Sequence, residues 1–182
     1  MGALAQKDVG DYLNKYFVSS YQKIASFTVT AGGQKQGGNV ASYFCTPEGR
    51  VLHVVVGPVS GEQLLKEARW VEETWKLAEM HELKTVEKLQ ILFRHAHLER
   101  LATDFNIHVK PQKLPRLEPA NAATIINGPY VNTLLNHSPN QQGKVHLLLA
   151  GFTLPKIGRV YGTVFETILN QEISTVPVVQ TK

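Results

Sequence analysis

Apolar positions along the chain fall first into a helical rhythm, then a strand rhythm, then a long helical one. Leu4, Val9, Tyr12, Leu13 and Tyr16 recur close to i, i+3, i+4 and predict an amphipathic helix over 4–16. Residues 17–29 are rich in β-branched and aromatic side chains and predict a strand. Four glycines between Ala31 and Gly38 predict a flexible loop. Residues 40–46 and 51–56 predict two strands joined by Pro47-Glu48-Gly49-Arg50, a turn in which proline fixes φ and Gly49 accepts a positive φ. Strands joined by so short a connection are antiparallel neighbours. Gly57-Pro58 ends the hairpin, and Ser60-Gly-Glu-Gln63 opens a helix with a capping-box pattern. Leu64, Leu65, Ala68, Val71, Trp75 and Ala78 form that helix's apolar face, and Glu62, Glu67, Glu72 and Glu73 are assigned to its solvent side.

From Leu83 onward the pattern is helical. Val86, Leu89, Phe93, Ala96 and Leu101 mark one stripe, and Ile91, Leu98, Ala102 and Phe105 widen it, which predicts burial on more than one side. Pro111, Pro115 and Pro119 predict an extended connector over 107–119. Residues 120–136 predict a helix broken at Gly128-Pro129, and 138–143 a loop. The apolar run 145–150 has no periodicity that assigns it. Ile157, Val160, Tyr161, Val164, Phe165, Ile168 and Leu169 predict a final helix, and the β-branched tail 173–179 a further strand.

The fold class predicted is α/β: a short βββ-α sheet unit over 1–80, and a mostly helical segment over 81–182 packed on it. Composition agrees with a folded core, at 43% hydrophobic and 19% charged residues. The net charge of +4 is spread along the chain, which argues against a nucleic-acid footprint. No apolar run approaches the roughly 18 residues of a membrane span. The first eight residues carry no apolar signal core, making the cytoplasm the default compartment.

Two stretches add a resemblance. Asp8-Val9-Gly10-Asp11-Tyr12-Leu13-Asn14-Lys15-Tyr16-Phe17-Val18 resembles the end of the first thioredoxin helix and the start of the next strand. Tyr43-Phe44-Cys45-Thr46-Pro47-Glu48-Gly49-Arg50-Val51-Leu52-His53, with Gly57 and the helix from Ser60, resembles that fold's final hairpin and last helix. The resemblance covers residues 8–80 and implies a truncated thioredoxin-like sheet. It also implies lost chemistry: no Cys-x-x-Cys exists, and Ala41 stands where the family's cis-proline would be. The family's central first strand has no room before residue 4. The exposed sheet groups then require either direct pairing of 17–29, 40–46 and 51–56, or a strand from a second copy.

Candidate chemistry is sparse. Cys45 is the one cysteine, and nothing in its local sequence lowers its pKa, so it is assigned to packing. His95 and His97 are two apart on a helix and project about 200° from one another, too far round to share an ion. His53, His108, His137 and His146 come from unrelated segments, so no metal site and no cofactor are expected. Trp70 lies off its helix's apolar stripe, where it covers the C-terminal helices or stacks on a ligand. The function expected is a non-catalytic thioredoxin-like interaction or scaffolding domain, with a protein partner or a second copy as its ligand. The alternatives are a single-thiol redox or peroxidase-type enzyme using Cys45, and a small-ligand binder in the cleft between the two segments.

Overall fold

The computed structural model describes residues 2–22, 39–110 and 141–173, together with the strands Thr28–Val29 and Lys35–Gln36. In chain order the elements are α1 (Lys7–Tyr16), β1 (Thr28–Val29), β2 (Lys35–Gln36), β3 (Ala41–Cys45) and β4 (Val51–Val56). They continue with α2 (Gly61–Met80), α3 (Val86–Phe105), α4 (Gln141–Gly151) and α5 (Ile157–Gly162), and α5 runs on into π-helical turns at Thr163–Ile168. The fold is mixed α/β and mostly helical.

The β3–β4 hairpin is the centre of the molecule. Its turn closes with the Gly49 amide donating to the Thr46 carbonyl at 2.8 Å, and Gly49 adopts φ +72°, a conformation that costs glycine little. Phe44 pairs with His53 and Cys45 with Val51, leaving Leu52 as one extra residue in β4. Such a bulge re-aims the side chains beyond it. All six residues of β4 are buried, as expected of a strand covered on both faces. On one face Val51, Val54 and Val56 pack with Val145, Leu148, Leu149, Val160, Val164 and Phe165. On the other, Phe44, Leu52 and Val55 pack with Val9, Leu64, Leu65, Ala68, Val71 and Phe93. Each buried aliphatic side chain contributes about 1.5–3 kcal/mol.

Among the described residues β4 pairs with β3 on one edge. On the other the Val51 amide donates to the Pro155 carbonyl at 2.8 Å, and further along, that edge meets side chains. The Val56 amide donates to Gln142 Oε1 at 3.2 Å, and Gln142 Nε2 donates to the Val54 carbonyl at 2.8 Å. His97 Nε2 donates to the Leu52 carbonyl, two residues further along the same edge, at 3.0 Å. Helices α3 and α4 therefore satisfy backbone groups that would otherwise be buried without partners.

Several expectations are corrected here. Phe17–Gln22 is not a strand. Phe17 leaves α1 extended and sets its ring edge-on to Phe44, 5.2 Å between centroids, so packing rather than a ladder fixes this stretch. Thr28–Val29 pairs with Lys35–Gln36, which puts a strand inside the glycine-rich stretch. That pair is a separate sheet from β3–β4, so among the described residues 17–29 does not join the hairpin. The unassigned run 145–150 is helical within α4, where helices and strand surround it so closely that no polar face is needed. The final helix changes from α to π winding at Thr163. The expected helix at 120–136, most of the proline connector, the loop at 138–143 up to residue 140, and the tail beyond Ile173 lie outside the described residues.

The two best-capped helices carry the site. Ser60 Oγ accepts from the Gln63 amide at the start of α2, and Thr85 Oγ1 accepts from the Lys88 amide at the start of α3. Asn106 ends α3 in the left-handed region at φ 55°.

Candidate metal centre

Five ionisable side chains converge in the interior at the open edge of β4. His53 comes from β4, Glu67 from α2, His97 and Arg100 from α3, and His146 from α4; all five are buried. The imidazole centroids lie 5.1 to 5.6 Å apart. One ring nitrogen from each of His53, His97 and His146 lies within 4.8 Å of the others. Trp70 packs against all three rings, at 4.9, 5.2 and 5.9 Å. Phe44 stacks beside His53 and Phe105 beside His146, so the surroundings of the imidazoles are largely aromatic.

The hydrogen-bond network assigns the protons. The Leu52 carbonyl can only accept, so His97 Nε2 carries a hydrogen. In a neutral ring His97 Nδ1 is then an acceptor, and it lies 2.9 Å from His146 Nδ1, which must donate. His146 Nε2 is left as a bare lone pair. His53 Nε2 lies 3.1 Å from Glu67 Oε2 and donates to it, which leaves His53 Nδ1 bare. Both bare nitrogens, His53 Nδ1 and His146 Nε2, are buried without a hydrogen-bond partner. Most buried polar atoms are paired, and an orphan acceptor costs about 1–3 kcal/mol.

Charge in the cluster is confined to its rim. Burial by itself would push the Glu67 carboxyl up, but hydrogen bonds from His53 and from Arg100 Nη2 (2.8 Å) outweigh it and hold the group at about 2. Arg100 also donates through Nε to Asp104 at 2.6 Å, and its guanidinium lies 5.2 Å from the Trp70 ring. Burial is the main reason all three histidines are pushed down, with Arg100 acting in the same direction. His97 falls to about 3 and His146 well below the usual histidine range. The imidazoles are therefore neutral near pH 7, the form in which a histidine ligates a metal.

The arrangement matches what a metal needs beyond its first ligands. A ligating histidine normally donates its second N–H to a carboxylate or a backbone carbonyl, which fixes the ring and its tautomer. His53 does so to Glu67 and His97 to Leu52. A polar cleft of about 440 Å³ runs past Glu67 and Arg100, lined also by Lys66, Asp104, Phe105 and Gln142, and it gives a route from solvent to the rim of the cluster.

The residues singled out in the sequence take different places. Cys45 is half-buried against the aliphatic face of the hairpin, and burial pushes its thiol up to about 11. A thiol held protonated in this way is a poor nucleophile. Trp70 covers the contact between α2, α3 and α4 and touches the histidines. His95 is exposed while His97 is buried, as their spacing implies. Glu67 is a correction: it is 2% exposed, not on the solvent side. Its place was legible, because Glu67 is three residues after Leu64 and four before Val71, within the apolar stripe. The three histidines share that signal. His53 interrupts the apolar run Val51–Val56, His146 follows Val145 in another, and His97 stands midway between Phe93 and Leu101. Each occupies a core position of its own element.

Comparison of the chain with protein-family models, with curated proteins and with solved structures yields no match.

Proposed function

We propose that this chain is a non-catalytic binding domain, of the thioredoxin-like ancestry its hairpin and following helix resemble, and that its ligand is a transition-metal ion held by His53, His97 and His146. The observation that carries this reading is the pair of orphaned, buried imidazole lone pairs at His53 Nδ1 and His146 Nε2. A core built only for stability would replace such atoms with apolar ones, and the two histidines that carry them each bring a ring nitrogen, with one from His97, within 4.8 Å of one another. His97 joins them when His146 Nδ1–H gives up its bond to His97 Nδ1. The elevated Cys45 thiol speaks against the alternative of single-thiol redox chemistry.

Titration of the metal-stripped chain with Cu(I), Zn(II), Co(II) and Ni(II), followed by Trp fluorescence and thermal melting, tests the reading. One equivalent of at least one ion should bind, and at 100-fold excess over its Kd stabilise the fold by about 2.7 kcal/mol. The His146→Leu chain should lose both responses. A melting temperature indifferent to every ion would end the proposal.

A second role is favoured by one further observation. Val18 and Tyr21, in the segment after α1, are fully exposed, an arrangement suited to docking on a protein partner or a second copy. Sedimentation at micromolar concentration checks self-association; a species of about 20 kDa throughout would remove the second copy.

A further inference from the structure

In an antiparallel pair, alternate residues turn their amide and carbonyl toward the partner strand, and the residues between turn theirs away. The Gly57 amide donates to the Val40 carbonyl at 2.7 Å, while the backbones of Val54 and Val56 face Gln142, away from β3. By the register of the hairpin, Ser42 and Phe44 therefore bond to β4, and Ala41, Tyr43 and Cys45 direct their backbone groups to the outer edge of β3. Among the described residues no strand pairs there. Asn39, two residues before Ala41, belongs to the same row. Its amide donates to Gln171 Oε1 at 3.2 Å, and its Nδ2 donates to the Leu169 carbonyl at 3.1 Å.

The chain thus arrives at the head of this open edge as the π-helical turns end, and Ile173 packs on the same apolar core as Ala41, Tyr43 and Cys45. We propose that residues 174–179 continue along the edge as a third strand, parallel to β3, so that the chain's own tail closes its central sheet. The pairing uses none of the metal-site residues. Length fits: the five residues of β3 span about 17 Å, and six further extended residues reach about 20 Å. Composition fits as well, because Ser174-Thr-Val-Pro-Val-Val179 is largely β-branched and carries no charge.

Pro177 supplies a sharper check. Residues side by side in neighbouring strands share a face of the sheet, so Ile173 on the core side sets 175, 177 and 179 level with the row of Ala41, Tyr43 and Cys45. In a parallel ladder a residue level with one that faces it turns its own backbone groups away. Ser174, Val176 and Val178 then bond to β3, and Pro177, which has no N–H to give, falls where none is needed. At the new outer edge it also blocks the addition of a further strand.

The test is amide hydrogen exchange, read residue by residue by NMR on the full chain at two protein concentrations. The Tyr43 and Cys45 amides should be protected in the parent. Val176→Pro removes an inward donor and should speed their exchange by about tenfold or more, while Ser42 and Phe44, bonded to β4, keep their protection and show that the hairpin is intact. Thr175→Pro turns its missing N–H outward, as Pro177 does, and should leave Tyr43 and Cys45 protected. Exchange at these two amides that Val176→Pro does not change, whether fast or slow, would overturn the proposal, as would release by both prolines alike. Protection in the parent that grows with concentration would give the edge to a second copy and overturn it equally.

Discussion

The two layers that cover the hairpin are built on opposite principles. Toward α5 and the π-helical turns, the side chains of Val51, Val54 and Val56 pack in a cluster of aliphatic and aromatic residues, with Cys45 and Tyr43 at the margin. Toward α2 and α3, the apolar layer of Phe44, Leu52 and Val55 gives way at its border to three histidines, a glutamate and an arginine. The first layer holds the chain together by area and shape. The second has nearly the same burial but places polar groups where they are costly, and leaves two nitrogens without partners. Stability explains one layer; the proposed metal ion would explain the other.

Breaking the polar layer should have the largest effect on stability. Glu67→Ala removes the carboxylate that both His53 and Arg100 bond to, and leaves a buried guanidinium with only Asp104. A loss of about 3–5 kcal/mol is expected in urea unfolding. The matching change in the aliphatic layer, Leu148→Ala, opens a cavity against Val54 and Val164 and should cost about 3 kcal/mol, within the usual span for a buried leucine. Unlike Glu67→Ala, it should leave metal affinity unchanged.

Acid separates the layers next. Groups facing His97 are His53, His146, Arg100 and, through His53, Glu67. Its folded pKa of about 3 lies below the ordinary 6.5, so below pH 6.5 the unfolded chain takes up a proton that the folded chain refuses. Stability is thus fully present above pH 6.5 and falls with acidification, by about 1.4 kcal/mol at pH 5.5 from His97 alone. His53 and His146 are shifted in the same direction and act with the same sign. Glu67, also depressed, adds to the loss as pH falls below the ordinary carboxyl range. Urea midpoints between pH 7.5 and 5 should show the decline, and bound metal should oppose it.

The smallest effect on stability sharpens the comparison most. His146→Leu removes one orphaned nitrogen and buries apolar surface, while costing His97 Nδ1 its donor. The two changes nearly offset, so unfolding free energy should stay within about 1 kcal/mol of the parent. Calorimetry on the same protein should nevertheless find no metal bound.

What the sequence makes legible follows from how local the causes are. Pro47 and Gly49 set a turn over four residues, and Ser60 caps a helix three residues on, so hairpin and helix α2 can be read directly. Residues 17–22 mislead because their composition suits a strand, while the contact that decides their path, Phe17 on Phe44, is 27 residues away in sequence. The candidate site was hidden for the same reason. His53, His97 and His146 are separated by 44 and 49 residues, and no short spacing relates them. What could have betrayed them is placement: ionisable residues standing at core positions of three different elements, with Glu67 and Arg100 on the same buried stripes.

The bonding of Gln142 to β4 bears on the order of assembly. The hairpin and its turn are complete by Val56, but the amide of Val56 and the carbonyl of Val54 find their partner 86 and 88 residues later. Contacts that distant in sequence raise the entropy of closure and slow the final step. A chain emerging from synthesis would therefore carry β4 for some time with an open edge, a template for pairing with other chains. The arrival of α4 seals that edge and, by bringing His146 with it, completes the histidine cluster in the same event. Protection against misassembly and completion of the buried histidine cluster are reached together.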